Sequence, residues 1–172
     1  MATERYPVYK VKEDLALPDP HMPPGRLHHS IFVKTNDDGS GILYNVIGDI
    51  TSRGGMTYEC RDAQDPSTSE SLHSKELLGH TLVANQRDNW DDALRSLPTP
   101  PQQKASNPQR MGQVEPFKER LESGGFVFYR DGEERRPLWK CTEWTEQYAI
   151  PTLLQRGLLQ PEDSAVAISK LG

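Results

Sequence analysis

Cysteine is scarce in this sequence: 172 residues carry two, Cys60 and Cys141. Two thiols cannot build a disulfide scaffold. The leading "MATERYPVYKVKEDL" also lacks the apolar stretch of a secretory signal. A cytoplasmic, reducing location is therefore expected, where a permanent Cys60–Cys141 disulfide is not. Long apolar runs are missing too, and none approaches the ~18 residues of a membrane span. No basic block stands out, and net charge is −5 from 25 acidic and 20 basic residues. Non-specific nucleic-acid binding thus has no support. The five histidines and two cysteines show no close ligand spacing such as CxxC or HExxH, so no metal site is expected. A glycine-rich phosphate loop is absent as well, because "SRGG" at 52–55 reads as a hairpin turn. No internal repeat is visible, and nothing calls for a cofactor.

What is present is a polar chain, 34% apolar, with 14 prolines and 13 glycines. Its length suits one domain with a real core. Residues 1–26 are rich in proline and charge and read as an extended N-terminal arm ahead of a single domain, 27–172. "LHHSIFVKT", "ILYNVIGDI" and "MTYECR" are short β-rich runs, separated by "NDDGSG" and "TSRGG" turns. "LLGHTLVANQ" reads as a fourth strand broken at Gly79. "NWDDALRSLP" fits a short helix capped by Asn89. Residues 98–112, rich in Pro, Gln, Ser and Asn, read as a mobile loop. "QVEPFKERLESGG" reads as a helix ended by Gly124, and "FVFYRDGEERRPL" as a strand and turn. "WKCTEWTEQYAIPTLLQRGLL" is the strongest helical segment, which Pro151 should kink or divide. Strands first and helices later give an α+β class, an antiparallel sheet packed against helices.

The chemistry centres on Cys141, at the start of that last helix. A helix N-terminus carries a partial positive charge and free N–H groups. These stabilise a thiolate and can hold an oxyanion. The bland alternative is a buried thiol packed between Trp139 and Trp144. A nucleophilic cysteine needs a base, and His28 and His29 open the first β-run. Side chains alternate along a strand, so His28 shares a face with Ser30 and Phe32, and His29 with Ile31 and Val33. His21, His73 and His80 lie in the arm or near loops. A base needs an orienting partner, and the next strand offers Asn45, with Asp49 beyond it. Trp144, Trp139 and Tyr44 are the aromatic candidates for lining a substrate groove; the alternative for aromatics of this kind is the core.

"HHSIFV…GILYNVIGD…GMTYE", followed much later by "CTEW" at a helix start, resembles the circularly permuted papain-like fold. That group includes lecithin:retinol acyltransferase-like proteins and permuted NlpC-like peptidases. Their pattern has a His at the head of a strand, a second polar residue on the next strand, and the Cys last, at a helix N-terminus. The resemblance places the His on His28, the second polar residue on Asn45, the Cys on Cys141 and the following Trp on Trp144. It covers residues 27–60 and 138–159. Asn45 stands where His is usual, and Lys140 replaces a polar residue before the Cys.

The resemblance implies a cysteine-dependent acyl-transfer enzyme working through a thioester. The reaction would be hydrolysis of an amide or ester, or transfer to an amine or alcohol. The partner would be a small molecule carrying an acyl or aminoacyl group, with nucleic acid entering only as an aminoacyl donor. A non-catalytic binding module on the same fold is the alternative.

Overall fold

The computed structural model describes residues 4–162. Eight of its strands are β1 (Arg5–Glu13), β2 (His28–Lys34), β3 (Gly41–Ile47), β4 (Thr57–Ala63), β5 (Leu72–Leu82), β6 (Lys104–Asn107), β7 (Gln113–Arg120) and β8 (Phe126–Phe128). A short β9 (Gln160–Pro161) closes the described chain. Helix α1 spans Asp88–Arg95. The C-terminal helical run joins α2 (Cys141–Glu143), a π-helical segment (Trp144–Ala149) and α3 (Ile150–Gln155) end to end. It is called the cysteine helix below.

Six strands form one sheet in the order β4-β3-β2-β1-β5-β9, and β6-β7-β8 form a second. Every pairing is antiparallel. The molecule is thus a mixed α+β fold built mainly on antiparallel sheets. Alternation along the strands sets the layers. Val8, Ile31, Val33, Ile42, Tyr44 and Val46 face one way and pack on Trp90, Ala93 and Leu94 of α1 and on Trp144, Ala149 and Leu153 of the cysteine helix. The other face carries a smaller cluster of Val11, Phe32 and Leu43. Among the described residues no helix is long and apolar enough to cross a membrane.

Several segments depart from the sequence reading, among them β5, which runs from Leu72 through Gly79 without the expected break. Arg5–Glu13, read as part of an arm, is a strand paired on both edges, to β2 and β5. Its alternating Val8 and Val11 feed the two clusters, a period the flanking prolines masked. The 98–112 stretch holds β6 and a 3-10 turn at Pro108–Arg110. "QVEPFKER" is β7 and not a helix. Its Val114, Phe117 and Leu121 have helical spacing, but β6 and β8 supply strand partners on both sides. Helix α1 begins at Asp88, one residue ahead of the expected cap at Asn89.

Candidate functional site

The cysteine helix begins at Cys141, with Lys140 as its cap residue. Three ties fix that start. The Glu143 carboxylate accepts the Lys140 backbone N–H at 2.7 Å. It also accepts both terminal nitrogens of Arg26, at 2.5 and 2.8 Å. Arg26 lies two residues before His28 and Glu143 two after Cys141, so this bidentate pair sets β2 against the helix. Asp19 accepts the ammonium groups of Lys104 at 2.9 Å and Lys140 at 2.7 Å. Burial raises the Asp19 carboxyl, and the bonds from Lys104 and Lys140 outweigh it, leaving the pKa well below the carboxylate range. Gln103 grips Trp139 twice, donating to its carbonyl at 2.8 Å and accepting its N–H at 3.0 Å.

His28 should face away from the helices by simple alternation, yet its ring lies close enough to the Cys141 thiol for each to shift the other's protonation. The reason lies at the edge of the strand. The β2–β3 ladder stops at Ile31↔Tyr44, while β1 continues to pair as far as His28. The Cys141 sulfur sits at the edge left open, 3.9 Å from the Leu27 carbonyl, and the nearby His29 N–H helps to lower its pKa. In an extended chain those two groups point to one edge. The thiol thus takes the place of a missing strand partner, where His28 can reach it.

On its other side His28 meets Asn45, with Nε2 and the amide Nδ2 3.1 Å apart. Asn45 is buried, and its Oδ1 has no partner. Turning the amide over lets Oδ1 accept the Nε2–H and puts the NH2 where Oδ1 had no partner, an assignment that chemistry and not atom positions must make. Nδ1 is then left for the sulfur. His28 is raised above its ordinary value, chiefly by the Cys141 bond and against burial. Burial pushes the Cys141 thiol up, but the His28 bond and charge prevail and lower it. Both shifts favour a thiolate–imidazolium pair. Cys60, on β4, is a second free thiol, and burial raises its pKa.

The structure therefore brings Cys141, His28 and Asn45 together and separates the remaining candidates. His29 points its Nδ1 toward Glu146, 3.5 Å away, and burial lowers it to about 4. It is not placed to serve the thiol. Asp49 accepts the Thr51 and Ser52 N–H groups at 2.7 and 2.8 Å and shapes a turn. Tyr44 and Trp144 are fully buried core residues and line no groove. Trp139, stacked 5.4 Å from Tyr148, lines a cleft of about 440 Å³ on the small sheet. Sequence reasoning missed Arg26, Glu143, Asp19, Lys104 and Gln103. Glu143 alone carried a signal, an acid at the third position of a helix. Among the described residues no three His, Cys, Asp or Glu side chains gather as a metal ion would need.

A family model described as a family of unknown function (DUF6540) matches residues 15–160. No curated protein and no solved structure matches the chain.

Proposed function

We propose that this chain, which belongs to the DUF6540 family, is a cysteine-dependent acyl-transfer enzyme on a permuted papain-like scaffold. One observation carries the reading: His28 meets the Asn45 amide at 3.1 Å on one side and is electrostatically coupled to the Cys141 thiol on the other. That is the order nucleophile, base, orienter that thiol catalysis requires. The Cys141 thiolate attacks an ester, amide or thioester carbonyl, with its proton held on His28. An S–C bond forms, the N–H groups at the helix start stabilise the oxyanion, and the leaving group departs with the His28 proton. Water, an amine or an alcohol then attacks the thioester, His28 takes the acceptor's proton, and the sulfur is released. Asn45 holds the ring throughout.

The test is alkylation by iodoacetamide, read at each cysteine by mass spectrometry across pH, beside release of p-nitrophenol from simple esters. Cys141 is expected to label at a lower pH than the ~8.5 of a free thiol, Cys60 at a higher one. Cys141→Ala should abolish ester turnover while Cys60→Ala retains it. Equal loss in both folded variants, or a Cys141 no more reactive than a free thiol, removes the reading.

A further inference from the structure

A second cleft, of about 300 Å³, lies beside the Cys141 helix start and is distinct in charge from the rest of the molecule. Its walls include His21, Arg26, Arg135, Arg136, Leu138 and Glu143. Leu138 and Glu143 bracket Cys141 in the chain, and Arg26 leads into His28. Three residues of extended chain span at most about 10 Å, so the cleft lies near the thiol, although Cys141 is buried and is not one of its walls. At that size it falls at the lower end of small-ligand pockets.

The charges in it do not cancel. Glu143 is committed to Arg26 through two hydrogen bonds. Arg136 is held by neutral acceptors, the Tyr129 hydroxyl at 3.3 Å and the Lys118 carbonyl. An arginine fixed that way keeps both its place and its full charge. Arg135 is exposed, and among the described residues neither it nor Arg136 meets a carboxylate within ion-pair reach. Two titrations report the field. His21 is lowered by burial first, then by Lys104 and Arg135, against the opposing pulls of Asp19 and Glu115. Tyr129 is lowered although burial raises it, because Arg136 donates to it. Two guanidinium groups without a carboxylate partner leave their donors free for an anion, and the planar fork suits a carboxylate or phosphate.

We infer that this cleft is an anion subsite, selecting acyl substrates whose reacting carbonyl lies a few bonds from a carboxylate or phosphate. Arg135 and Arg136 would hold that group while Cys141 attacks. The inference rests on the acyl-transfer reading for its substrate and on the cleft alone for its ligand.

The test separates the two. p-Nitrophenyl hydrogen glutarate and p-nitrophenyl butyrate share a leaving group, and only the first carries a carboxylate. In each, the sulfur bonds to the ester carbonyl, the C–O bond breaks and p-nitrophenolate leaves. After normalising to glutathione, the glutarate ester should acylate the wild type roughly tenfold faster, an advantage that shrinks with salt. In Arg135→Glu the ratio should fall to about 1 or below, since like charge now opposes the ester. Exposed Arg135 carries little folding risk, and Arg135→Gln gives an intermediate ratio. Independently, free glutarate or inorganic phosphate should shift arginine Nε–H resonances saturably in wild type and not in Arg135→Glu. Glutarate alone acting marks a carboxylate site; both acting marks a general oxyanion site. A wild-type ratio near 1 without saturable shifts overturns the inference, while Cys141-dependent p-nitrophenol release leaves the acyl-transfer reading standing. Saturable shifts without release from either ester uphold the anion site and overturn the acyl-transfer reading.

Discussion

Cys141 and His28 titrate as a pair, each moving the other in the direction that keeps both charged. The reactive form exists above the lowered Cys141 pKa and below the raised His28 pKa. Acylation should therefore follow a bell-shaped pH profile, rising below ~8.5 and falling only above ~6.5, the two unperturbed values. Removing the imidazole reverses the sign at the sulfur. In His28→Ala burial acts on the thiol without its counter-charge, so its alkylation midpoint should move above that of a free thiol. Turnover should drop about 100- to 10,000-fold. Asn45 acts one bond further out. The imidazolium donates from both nitrogens, so only the amide oxygen can serve it, and Asn45→Ala should cost about 10- to 100-fold in kcat/KM. A narrowed alkaline limb would mark its role as an orienter; a changed melting temperature with an unaltered pH profile would mark a structural one. At this scale the three residues were legible because a polar side chain in an apolar strand, or a Cys opening a helix, needs a reason. Asp19 was not, because nothing in "LPDPH" says that two lysines 85 and 121 residues away close on it.

The cysteine helix shows how one residue shapes an element. Pro151 has no N–H to give, and the segment before it widens, with the Ile150 N–H reaching five residues back to the Thr145 carbonyl. A break at Pro151 was readable from the sequence, but a π-helical turn was not. Its form depends on what Trp144, Ala149 and Leu153 pack against. The end of this helix is fastened by β9, which pairs Gly79↔Pro161 and His80↔Gln160. Gly79 sits at φ +151°, and a Cβ there would lie 2.0 Å from the Gln160 carbonyl oxygen. Gly79→Ala should therefore destabilise the fold by roughly 2–4 kcal/mol, measured by urea unfolding, and should loosen the helix that carries the thiol. An unchanged midpoint would mean that β9 does not anchor it. For β7 the local pattern points the other way: its apolar spacing suits a helix, and the β6 and β8 pairings that make it a strand lie outside the segment itself.

Across the whole molecule, Asp19 joins the chain leading into β2, the small sheet through Lys104, and the helix start through Lys140. Its side chain is 11% exposed and that of Lys104 8%. Asp19→Asn would leave two lysines crowded without their counter-charge, at a cost of about 3 kcal/mol. Folding lowers this carboxyl, so its contribution is complete above the unfolded value of ~3.9 and is lost as pH falls through the lowered one. The wild type should thus lose stability below about pH 4 more steeply than Asp19→Asn; parallel melting curves from pH 5 down to pH 2 would show that the cluster contributes nothing. One consequence of the open edge between β2 and β3 reaches beyond turnover. The sulfur that fills it is also the thiol most inclined to be charged, and thiolates are what peroxide attacks. A sulfenic oxygen on Cys141 would have to fit between the Leu27 carbonyl and the His29 N–H. Oxidation would then remove the thiolate that the proposed chemistry needs and crowd the chain entering β2, so the reactivity proposed for this sulfur and the packing at the strand's start meet at a single atom.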